Sequence, residues 1–129
     1  MVELVGWPIV ELDASEATPE AAPSVVFDTL MAAVERQEMF AAVVRMPEVP
    51  PRGRRVAGAV ERVRMLKRLR PGLVEHCRGL AFVMSEEGQR NNAKALRSGP
   101  TMWGCPTFAT DDPRQARLWA QARLDTEGE

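Results

Sequence analysis

Two short, almost purely apolar runs constrain this chain more than any other feature: Phe40-Ala41-Ala42-Val43-Val44 and Gly79-Leu80-Ala81-Phe82-Val83-Met84. Neither alternates polar with apolar residues, so each is expected to be buried on both faces, as in a parallel sheet covered by helices. Between them, from about Arg54, Val56, Val60, Val63, Leu66 and Leu69 recur at helical spacing and arginines fill the other positions. A strand, a helix and a second buried strand make a βαβ unit, whose crossover is right-handed.

The flanking segments extend that unit. Val2 to Leu12 reads as an early strand pair interrupted at Gly6-Trp7-Pro8, followed by a polar loop to Pro23. Pro23 or Ser24 opens a helix carrying Val26, Phe27, Leu30, Met31 and Val34. Closely spaced prolines exclude regular structure from Met46 to Pro51, and Pro71-Gly72 is expected to kink or end the long helix. Ser85 is placed to cap a helix running to about Leu96, which Ser98-Gly99-Pro100 stops. Thr101 to Ala109 reads as a last strand region. Asp111-Asp112-Pro113 starts a final helix with Ala116, Leu118, Trp119, Ala122 and Leu124 on its apolar face, and residues 125–129 are expected to fray.

The expected fold is therefore α/β: one domain over residues 1–129, with a mixed or mostly parallel four- to five-stranded sheet and about four helices. No linker divides the chain and no repeat recurs. A chain of 129 residues buries enough surface to need neither a metal nor a disulfide. Cys77 and Cys105 stand alone and far apart, the pattern of two buried thiols in a reducing compartment. No signal peptide or membrane-spanning run is visible, so a soluble, cytoplasmic protein is expected.

Charge is distributed unevenly. The net charge is −1, but up to Val44 the ionisable residues are acidic except for Arg36, and from Arg45 to Arg78 ten cations face Glu48, Glu61 and Glu75. Arg52, Arg54, Arg55, Arg62 and Lys67 are the candidate partner-binding residues, because a basic helix face attracts an acidic protein. The acidic first third of a neighbouring copy would serve equally. Nucleic acid is not the expected partner: the net charge is near zero, and no aromatic residues interleave the arginines as stacking platforms.

The run from Phe40 to Leu124 resembles the SpoIIAA-like (STAS/SEC14-type) small bacterial domains. The resemblance lies in the early strand pair, the strand Phe40–Val44, and an Arg-rich helix ending in Glu75-His76-Cys77-Arg78-Gly79. It continues through the strand Leu80–Met84 and Pro106-Thr107-Phe108-Ala109-Thr110 with Ala116-Arg117-Leu118-Trp119. It implies a STAS-like α/β sandwich used for protein–protein regulation or, in lipid-carrying relatives, for binding an apolar ligand. The phosphorylated hydroxyl of the regulatory members has no counterpart in Arg45-Met46-Pro47-Glu48-Val49, so no phosphorylation switch is expected.

No catalytic constellation accompanies the fold. His76, the single histidine, adjoins Cys77, and neighbouring side chains diverge, which argues against a nucleophile–base pair. No metal-ligand set and no phosphate-binding glycine motif is present in the sequence, so no cofactor is expected. The leading expectation is a non-enzymatic regulatory or scaffolding module that binds a protein partner or itself. The alternatives are a carrier or sensor of a small apolar molecule and an enzyme of unrecognised type. If the last strand lies beside the first, Trp7, Trp103 and Phe108 line one apolar pocket. Asn91 and Asn92, with Ser85 and Gln89, would then line a polar mouth at the carboxyl ends of the strands.

Overall fold

The computed structural model describes residues 7–14, 16, 22–46, 59–91 and 93–127. Four strands, β1 (Ile9–Asp13), β2 (Phe40–Arg45), β3 (Cys77–Val83) and β4 (Thr107–Thr110), form one sheet in the order β1-β2-β3-β4. Every pairing is parallel. Helices α1 (Ala22–Glu35) and α2 (Ala59–His76) connect the first three strands. Three short helices, α3 (Glu86–Asn91), α4 (Ala93–Arg97) and α5 (Gly99–Trp103), fill the crossover to β4, and α6 (Pro113–Glu127) closes the order.

Both apolar runs are central strands, as their patterning requires. Phe40 through Val44 are all buried, because helices pack on both faces of β2. One layer unites Val10, Leu12, Phe40, Ala42, Val44, Leu80 and Phe82 of the sheet with Val26, Leu30 and Ala33 of α1 and Leu69 and Leu73 of α2. The other unites Ile9, Ala41, Val43 and Ala81 with Ala116, Ala120 and Leu124 of α6. The small residues on this second face let α6 lie close to the strands. A single-residue bulge at Arg78 shifts the β2–β3 register, pairing Phe40 with Cys77 and Ala41 with Gly79. Cys77 therefore joins the α1–α2 layer, while Gly79 lies beneath the Trp119 ring of α6.

Capping follows the sequence. The Ser85 hydroxyl accepts the Gly88 N–H at 3.1 Å to start α3. The Asp112 carboxylate accepts the Arg114 N–H at 2.9 Å to start α6. Glu35 ends α1, where Gln37 takes a left-handed conformation (φ 56°).

Several expectations require correction. Pro71 does not end α2, which runs on to His76, because Leu69 and Leu73 hold its inner face against the sheet while Pro71 itself is exposed. Thr101–Trp103 is helical and not extended: Pro100 starts α5, and Gly104 (φ 83°) caps it by returning its N–H to the Pro100 carbonyl at 2.9 Å. The single helix expected from Ser85 to Leu96 is broken into α3 and α4. Val63, counted with the core face of α2, is 53% exposed. Leu118, counted with the core face of α6, is 66% exposed, and Ala120 takes its place inside. The expected strand before Gly6 lies outside the described residues. No described helix is long and apolar enough to cross a membrane.

Candidate functional site

Parallel strands feed their loops and helix starts to the carboxyl edge of a sheet, where ligands of open α/β folds bind. A cleft of about 680 Å³ opens there, lined by Arg45 and Met46 at the end of β2, Val83 through Ser85 at the end of β3, Glu86, Glu87 and Arg90 of α3, and Asp111 and Pro113 at the start of α6. Two guanidinium groups and three carboxylates surround it. Among the described residues these five charges form no ion pair with one another. Its rim suits a polar ligand or a polar protein surface better than an apolar cargo. Among the described residues that line it there is no histidine or cysteine, and the Ser85 hydroxyl accepts the Gly88 N–H. The expected polar mouth is present in part, with Ser85 on its wall. Gln89 donates instead to the Met84 carbonyl at 3.2 Å, Asn91 closes α3, and Asn92 lies outside the described residues.

The tryptophan pocket is not assembled. β1 and β4 occupy opposite edges of the sheet, so Trp7 and the last strand do not meet. Trp7 packs on Phe40 (ring centroids 5.8 Å) with the Arg36 guanidinium 4.2 Å from its centroid. Trp103 packs on Phe82 at 5.8 Å, in the same layer. Phe108 lies on the other face and stacks on Trp119 at 5.3 Å. The three rings thus serve three separate contacts.

The second surface is α2. Its charged residues are Glu61, Arg62, Arg64, Lys67, Arg68, Arg70 and Glu75. Of the expected contact residues, Arg52, Arg54 and Arg55 lie outside the described residues. Arg62 stands in the first turn of α2, and Lys67 is exposed. Neighbours fix the orientation of the helix. On one flank Gly72 leaves room for Val34 of α1, and the Arg68 guanidinium stands 5.7 Å from the Phe27 ring of that helix. On the other flank Arg70 Nε donates to the Thr101 carbonyl of α5 at 3.2 Å.

At roughly 100° per residue, Val63, Lys67, Arg70 and Val74 share this second flank within about 60° of arc, roughly a third of a turn from Leu69 and Leu73. Val63 and Val74 are 53% and 51% exposed, and Met102 of α5, next in the chain to the Thr101 that Arg70 contacts, is 38% exposed. Sequence reasoning missed Val74 and misassigned Val63, because apolar periodicity does not distinguish a buried stripe from an adjacent exposed one. The spacing of 4, 3 and 4 residues from Val63 to Val74 was the available signal.

The two thiols adjoin each other. Cys77 and Cys105 are buried, free of a disulfide, and belong to the α1–α2 layer. A hydrogen bond with the Cys105 side chain, and then burial, push the Cys77 thiol well above the ordinary range. A nucleophilic thiol needs the opposite shift. Below about pH 8.5 both folded and unfolded chains keep this proton, so the thiol leaves stability unchanged there. Above that range the unfolded chain releases the proton while the fold retains it, so stability falls as pH rises. The urea midpoint should therefore drop between pH 8 and pH 10, and drop less in Cys77→Ala. Equal slopes would refute the assignment.

Among the described residues no group of three or more His, Cys, Asp or Glu side chains is arranged to hold a metal ion. No protein-family description, curated protein or solved structure matches the chain.

Proposed function

We propose that this chain is a non-enzymatic recognition module of the STAS-like kind, which binds a protein partner or a second copy of itself through the outer flank of α2. One observation carries the proposal: two half-exposed valines, Val63 and Val74, share a flank with Lys67 and Arg70 and with no carboxylate. Isolated exposed apolar residues are ordinary, so the two valines, about 17 Å apart along the helix, count as a surface only if the residues between them join them. Aliphatic stems of Lys67 and Arg70 extend the apolar strip while their charges rim it. The α/β layering, with an Arg-rich helix before a buried central strand, supports the STAS-like assignment. Met46, the first residue of the proline-rich loop after β2, lines the carboxyl-edge cleft.

Site-specific cross-linking tests the surface. A photoreactive residue placed at Lys67 should capture a protein or a second copy of the chain, and the same residue at Gln121 of α6, on the opposite face of the sheet, should capture none. Val63→Asp with Val74→Asp should abolish capture from position 67. Both sites are half-exposed, so the fold should survive, each change costing about 1 kcal/mol, and a urea titration of the variant checks this. Equal capture from both positions would sink the proposal.

A further inference from the structure

We infer that the partner presents an acidic amphipathic helix, and that this helix lies along the outer flank of α2 beside α5; this inference rests on the recognition role proposed for α2. Three features of the surface converge on a helix. Val63, Lys67, Arg70 and Val74 follow the 4-3-4 spacing of a helix-pairing seam. The seam spans about 17 Å, or three helical turns, long enough to seat a partner helix along its length. α5 borders this flank: Arg70 is bonded to the Thr101 carbonyl, and Met102, the next residue in the chain, is half-exposed. α2 and α5 meet near Arg70 and Val74, where Gly104 passes close to both side chains.

Charge selects the sign of the occupant. Lys67 and Arg70 stand inside the seam, and Arg97, exposed at the end of α4, lies on the segment leading into α5. Glu75 falls on the opposite flank of α2 by its helical position. A helix with acidic residues beside its apolar stripe complements this surface, whereas a basic one meets like charges. Nucleic acid offers no apolar stripe for the two valines and Met102. Specificity therefore comes from two independent elements, and each can be removed alone.

The probe is a synthetic fluorescein-labelled peptide of three heptads, with leucine at the first and fourth positions and glutamate at the flanking ones. Repulsion between glutamates disfavours its self-pairing. Fluorescence anisotropy should report binding to the full chain, weakened about tenfold or more by Val63→Asp with Val74→Asp, and similarly by Lys67→Glu. Raising salt from about 0.05 to about 0.5 M, roughly a threefold shortening of the screening length, should weaken binding in the native chain more than in Lys67→Glu. Equal affinity for a scrambled peptide of the same composition would overturn the inference, because charge alone would then suffice. Equal affinity for a lysine-substituted peptide would overturn it from the other side. If cross-links from position 67 capture a partner or a second copy while the acidic peptide does not bind, the helix assignment fails and the recognition role stands. If neither occurs, both fail.

Discussion

Replacing Phe40 by alanine is expected to cost about 3–5 kcal/mol, a large share of the roughly 5–15 kcal/mol that stabilises a domain of this size. Phe40 is the largest of the fully buried side chains and opens β2, the strand buried by helices on both faces. Its ring meets Trp7 at 5.8 Å and its backbone pairs with Cys77 beside the Arg78 bulge. The surrounding groups cannot collapse into the space. The Trp7 ring also carries the Arg36 guanidinium 4.2 Å from its centroid, and Leu30 and Leu73 are themselves fully buried in the same layer. Urea titration should show a lower midpoint with an unchanged slope. Leu118→Ala, at an exposed site on α6, serves as the control and should shift stability by less than about 0.5 kcal/mol. A Phe40→Ala midpoint within that margin would show that β2 is not the centre of the core.

Gly79→Ala is the second large effect, and it works by crowding. A β-carbon at Gly79 would stand 2.8 Å from two ring carbons of Trp119 and 3.1 Å from the Arg123 side chain. Trp119 cannot swing freely, because its ring is stacked on Phe108 with only 16° between planes. Overpacking of this kind costs typically about 1–3 kcal/mol. The cost should be recovered in part by Trp119→Leu, which is destabilising by itself. The two substitutions together should cost less than the sum of their separate costs, by about 0.5 kcal/mol or more. Strict additivity would mean that α6 moves away as a body rather than clashing at this ring.

How much of the molecule was legible in the sequence depends on what each residue had to report. Phe40–Val44 and Leu80–Val83 declared buried parallel strands because burial on both faces leaves no room for polar residues. Ser85 and Asp112 declared helix starts because their side chains satisfy backbone N–H groups that nothing else can reach. Thr101–Trp103 misled because threonine and tryptophan are weak helix formers on their own. Pro100 ahead of them and Gly104 behind them decided the matter. The tryptophan pocket depended on strand order, and no local pattern records which strands become neighbours. The functional surface was half visible. Lys67 on a basic helix could be read directly, but Val63 passed for core until Leu69 and Leu73 showed where the sheet lies.

Among the described residues one face of the sheet is covered by α6 alone, and α6 is the last of the described elements to be synthesised. As the chain leaves the ribosome, β1 through β4 and the α1–α2 layer can assemble while Ile9, Val43 and the alanines beside them still face water. A nascent chain with a bare sheet face invites association with its neighbours. The residues on this face limit that hazard, since Ala41 and Ala81 offer far less surface than the phenylalanine and leucine side chains of the other layer. The alanines that let α6 pack closely in the finished molecule therefore also protect the unfinished one, and enlarging them should reduce yield during expression before it alters the folded state.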